Sequence, residues 1–227
     1  MILLLACTLD PAVEDGASDR LTDHMGRHGT HLADTRDAVI AGRLDLAVAL
    51  GQALVASPRI EGLPERAQSL QAAFFFRAEA IARATDLFEA GRAVGMTAQA
   101  CGDCHAALSG GPDPQASAVP SAGGALAGEM GRHAWAVERM WTGLLLDEPA
   151  VLAEGLSALE MSPLVPSGLP ATSSLPAELA QLEVSIHDLA AAAVRASEAG
   201  TDAGAPYGEM LAMCATCHAA TGGGPDR

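Results

Sequence analysis

The chain is written twice, and no other feature constrains its fold as much. Met25-Gly26-Arg27-His28 recurs as Met130-Gly131-Arg132-His133. Cys101-Gly102-Asp103-Cys104-His105-Ala106-Ala107 recurs as Cys214-Ala215-Thr216-Cys217-His218-Ala219-Ala220, and Gly110-Gly111-Pro112-Asp113 recurs as Gly223-Gly224-Pro225-Asp226. The landmarks keep their order, so one unit has been duplicated in tandem. Each copy is a little over a hundred residues, enough for a small packed core. The second copy carries a longer central stretch, Ser162 to Leu175, rich in Pro and Ser. Between the copies, residues 110–124 hold Pro112, Pro114 and Pro120 among small residues, the composition of a linker. The expected division is an N-terminal segment 1–17, a first domain 18–112, a linker 113–124 and a second domain 125–227.

Periodicity predicts four helices per copy. Ser18 or Asp19 is the expected cap of a run from Arg20 to about Ala41, with Leu21, Met25, His28, Leu32 and Val39 at helical spacing. A second helix is expected over Leu44–Ala56, stopped by Pro58. A third starts at Pro64 and runs to about Ala90, and Gly91 and Gly95 allow a bend after it. A fourth carries Cys101 to Leu108. The second copy repeats this over 125–146, 148–160, 176–199 and 206–220. No run alternates with period two. The expected fold is all-α, two tandem antiparallel four-helix bundles.

C-x-x-C-H is the attachment signature of c-type haem. Two thiols add to the two vinyl groups of a porphyrin, and the adjacent histidine reaches the iron from below. With 5 Cys and 7 His in 227 residues, chance would give only about 0.003 such motifs. Two occur, at equivalent places of a repeat. A thioredoxin-like pair would want a βαβ setting, a zinc ribbon would want its two pairs close in sequence, and two disulfides would need only an oxidising compartment. Haem is the stronger reading. Cys101, Cys104, Cys214 and Cys217 are the expected attachment points of two covalent haem c groups, with His105 and His218 as proximal iron ligands.

A helical bundle with this motif on its last helix resembles the class II c-type cytochromes, the cytochrome c′ and c-556 group. The resemblance covers each copy nearly end to end, and its one specific motif is the attachment site. It implies that the sixth position of each iron faces the first helix, where some family members place a Met and others leave the position open. Here Met25 and His28, matched by Met130 and His133, are the repeated candidates, three apart on one helix face. His28 and His133 are the favoured ligands, Met25 and Met130 the second choice, an open position the third. A Met among apolar neighbours often only fills space. His24 and His31 match Glu129 and Ala136, so both are read as surface residues, and His187, matching Phe75, as structural. Arg27 and Arg132 are candidates for haem propionates or plain solvated charges.

The expected function is electron transfer outside the cytoplasm, on the periplasmic or outer-membrane side, with redox proteins as partners. The duplication would bring two haems near one another. No repeated acid–base pair accompanies the motifs, so an electron carrier is expected rather than an enzyme. The alternatives are a gas-binding protein with an open or labile iron and a dihaem peroxidase, which needs a distal acid–base group at a vacant iron. The net charge of −15, from 13 basic and 28 acidic residues, argues against nucleic acid, whose phosphates call for Lys and Arg. It suits docking to a basic protein, and equally plain solubility. Met1 to Ala6 is too short to span a bilayer and lacks a basic flank. Leu4-Leu5-Ala6-Cys7 resembles a bacterial lipobox, which makes Cys7 a candidate lipid anchor. No transmembrane helix is expected.

Overall fold

A computed structural model describes residues 15–61, 63–111, 118–121, 126–161 and 177–225. Among these residues the chain forms eight helices and no strand. In the first copy they are α1 (Asp15–Ile40), α2 (Leu44–Ala56), α3 (Glu65–Ala82) and α4 (Leu87–Leu108). In the second they are α5 (Leu126–Leu146), α6 (Pro149–Glu160), α7 (Ala177–Glu198) and α8 (Gly204–Thr221). Cys7, most of the linker and the 162–175 stretch lie outside the described residues. No described helix is long and apolar enough to cross a membrane.

Two boundaries differ from the expectation, each for a local reason. α1 runs through Ser18 and Asp19 instead of being capped by them. No proline or β-branched run separates Asp15 from Arg20, and an acidic residue in a first turn suits the positive end of the helix dipole. The long third helix is really two. The chain breaks at Arg83–Asp86, and α4 starts at Leu87. Asp86 is extended (φ −146°, ψ 171°), and its side chain accepts from the Glu89 N–H at 2.8 Å. Glu89 reaches back to accept the Thr85 N–H at 2.9 Å. This reciprocal cap satisfies amide donors that a helix start leaves unpaired. It lets α4 run through Gly91, Gly95 and the C-x-x-C-H, so the glycines do not interrupt it.

The glycines do something else. Gly91 faces Gly208, and Gly95 faces Gly204. These are repeat equivalents, Gly91 matching Gly204 and Gly95 matching Gly208, so α4 and α8 cross antiparallel in a self-matching contact like that of a two-fold dimer. A Cβ at any of the four would overlap the backbone carbonyl opposite. Only hydrogen allows this approach.

Further contacts join the copies. Arg36 of α1 is buried, pairs with Glu138 of α5 and lies 5.1 Å from the Trp141 ring centroid. Gly102 of α4 seats against the Leu144 carbonyl at the end of α5. One buried apolar cluster runs through both copies, from Leu32, Leu54, Ile81 and Val94 to Met140, Leu144, Leu152 and Leu211.

Candidate haem sites

Each C-x-x-C-H occupies the last turns of the helix that makes the central crossing. Cysteines three apart share a face of the helix, and the histidine follows at once. In α4 the residues are Cys101, Cys104 and His105. In α8 they are Cys214, Cys217 and His218. The four cysteines are free thiols, part-buried as residues. Burial pushes the Cys101 and Cys214 thiols up to about 12, and raises Cys104 and Cys217 as well. Neither pair has the lowered pKa of a reactive dithiol. Each motif lies about 15 Å of helix beyond the glycine crossing. Because the helices are antiparallel, the two motifs leave it in opposite directions. Their four thiols therefore do not meet in one zinc site.

Both motif histidines are held the same way. His105 Nδ1 lies 2.7 Å from the Leu145 carbonyl oxygen, and His218 Nδ1 lies 3.2 Å from the Ile40 carbonyl oxygen. A carbonyl can only accept, so Nδ1 carries the proton and donates it. That tautomer leaves the Nε2 lone pair available, the arrangement a metal-bound imidazole needs. The repeated glycine tail closes over the same rings. Gly111 and Gly224 have φ of +131° and +111°. A Cβ would stand 3.1 Å from the His105 ring at the first and 2.8 Å from the His218 ring at the second.

The distal candidates lie on α1 and α5. Short connections turn the chain back at each step of the first copy, so α1 and α4 run antiparallel. Val39 sets their register, with its Cγ1 3.4 Å from where a Gly91 Cβ would be. Eleven residues back along α1 is His28, and eleven forward along α4 is Gly102, inside the attachment motif. In the second copy the buried Tyr207 donates to the Val137 carbonyl at 3.0 Å and packs 6.1 Å from Trp141. His133 is one turn from Val137, and Cys214 is two turns from Tyr207.

His28 is 8% exposed, and its Nε2 is buried without a hydrogen-bond partner. Burial, then the neighbouring His24, His31 and Arg27 charges, lowers it to about 4, so it is neutral at pH 7. It stacks on Phe74 at 5.1 Å and meets Phe75 edge-on at 6.0 Å. His133 is also buried, with the His187 ring 6.5 Å away. Met25 and Met130 are part-exposed.

Several sequence expectations change here. His24 is not a surface residue. It is 7% exposed, 4.1 Å ring to ring from His28, and its Nε2 has no partner. Burial first, and Arg27 second, lowers its pKa. Its lack of a repeated counterpart was a poor guide, because Glu129 in that place also holds a buried, unpartnered oxygen. His31 is half-buried with an unpartnered Nδ1, and His187 has an unpartnered Nε2. Arg132 is an exposed residue engaged with backbone, donating to the carbonyls of Pro120 at 3.0 Å and Met161 at 3.2 Å. The ring cradle of Gly111 and Gly224 was visible as a repeated tail. The Ile40 and Leu145 carbonyls carry no sequence signal at all.

Paired desolvated thiols and imidazoles committed through Nδ1 are groups that could hold a covalent haem, while among the described residues no cluster of three or more His, Cys, Asp or Glu is placed to hold a metal ion by itself. No family model, curated protein or solved structure matches the chain.

Proposed function

We propose that the chain is a dihaem c-type cytochrome that carries electrons outside the cytoplasm, as two tandem four-helix bundles with one haem each. Cys101 and Cys104 would hold the first haem, with His105 proximal and His28 distal. Cys214 and Cys217 would hold the second, with His218 proximal and His133 distal. The observation that carries this is the matched commitment of both motif histidines, Nδ1 to a carbonyl and Nε2 free. The bound iron would supply a one-electron ferrous–ferric couple.

The residues supply the rest. The carbonyls fix the tautomer and raise the basicity of the proximal imidazoles. Phe74 and Phe75 hold the His28 ring and keep water from it. Burial keeps His28 unprotonated and ready to donate a lone pair. A ligand set that stays the same in both oxidation states suits outer-sphere transfer, and two histidines favour a lower potential than His with Met. The charge of −15 supports a basic protein as redox partner. Lipidation at Cys7 would keep the chain at a membrane face.

The test is expression in a host that matures c-type haem, followed by visible spectra with and without CO. Two haems per chain and sharp low-spin reduced bands that ignore CO are expected. Replacing Cys101 and Cys104 together by Ser should leave one haem. Retention of two would end the assignment. Broad bands that shift with CO would remove His28 and His133 as ligands and favour gas binding.

A further inference from the structure

The two sites are not built copy by copy. His105 of the first copy is oriented by Leu145 of the second, and His218 of the second by Ile40 of the first. Ile40 and Leu145 are repeat equivalents at the ends of α1 and α5, the helices that carry His28 and His133. The same exchange therefore occurs twice, related by the symmetry of the glycine crossing. Resting on the haem reading above, we propose that α1 and α5 couple the two haem sites. Each helix carries the distal histidine of one site and the carbonyl that orients the proximal histidine of the other.

The physical route is short. His28 and Ile40 are twelve residues apart, about 18 Å along a continuous helix. Because α1 is continuous from His28 to Ile40, a displacement of its backbone at His28 would be carried to Ile40. Between them, Arg36 is buried and tied to Glu138 and Trp141 of α5, which limits sideways escape. At the far end the His218–Ile40 bond is 3.2 Å, the long limit for such a bond, where small shifts change its strength most. That strength sets the basicity of the proximal imidazole and hence the electron affinity of its iron. On the other side, Gly102 lets the end of α5 sit directly against α4, beside the 2.7 Å His105–Leu145 bond.

The experiment uses the full-length holoprotein. His28→Met exchanges one neutral ligand for another, so no charge is added that could act through space. The far-red band of Met ligation marks the altered haem, and ferric EPR reads the other. The expected result is a change of at least threefold in the oxidised-to-reduced ratio of the haem on His218 at a fixed potential. His133→Met should do the same to the haem on His105. If the far-red band appears and the second haem keeps its ratio in both variants, the coupling is overturned.

Should neither variant mature, carbon NMR of the wild type decides. The Ile40 carbonyl should carry a hyperfine shift that vanishes on reduction of the haem on His218, and the Leu145 carbonyl one that follows the haem on His105. Absence of both shifts overturns the proposal. A wild-type chain that matures without haem would instead refute the cytochrome reading, so the two failures are distinguishable.

Discussion

At the scale of single residues, the sites depend on desolvation and on the space left by missing side chains. Cys101 and Cys214 have thiols raised to about 12. In the haem-free folded chain at pH 8 they should react with iodoacetamide at least about tenfold more slowly than in urea, because the thiolate is the nucleophile. Mass mapping of the labelled cysteines would show this, and equal rates would mean the thiols are open to water. Gly111 and Gly224 test the ring cradle. Gly224→Ala puts a Cβ 2.8 Å from the His218 ring at φ +111°, so it should cost about 1–3 kcal/mol and perturb the haem on His218 more than the haem on His105. Urea unfolding and the split of the reduced band would report the two effects.

Among the elements, α4 and α8 carry both the chemistry and the crossing. They end alike in the left-handed conformation, but with different residues, Ser109 (φ 51°) in the first copy and Gly222 (φ 69°) in the second. The second copy thus has the residue this position favours. Ser109→Gly should stabilise the chain by about 1 kcal/mol, read from urea midpoints, while Gly222→Ala should do the reverse. The crossing itself is far less tolerant. Gly95→Leu drives a side chain into the Gly204 backbone, which cannot rotate away, and should cost about 3 kcal/mol. An unchanged midpoint would show that the helices do not meet there.

For the whole molecule, the shared core matters most. Val39, Leu144, Tyr207 and Leu211 belong to one cluster across both copies, and the motif histidine of each copy bonds a backbone carbonyl of the other. The holoprotein should therefore unfold in one calorimetric transition, its van't Hoff enthalpy equal to the measured one. Two transitions would mean two independent domains on a linker. The antiparallel crossing also sends the attachment motifs to opposite ends.

The helices, the duplication and the two Cys-x-x-Cys-His motifs can be read from the chain alone, since each is written in short-range terms. Period 3.6, Pro and Gly punctuation, and Cys-x-x-Cys-His are all local. The break at Arg83–Asp86 was legible too, in Thr85, Asp86 and Glu89, but the apolar run through Leu87 and Phe88 hid it. Tertiary structure alone decided which residues meet. Gly91 and Gly95 read as a bend in one dimension, yet act as a contact in three. His24 reads as an unmatched surface residue, yet lies buried against His28. Ile40 and Leu145 act through backbone carbonyls, which every residue possesses. Their role comes from position, and position between distant segments is set by packing across the two copies.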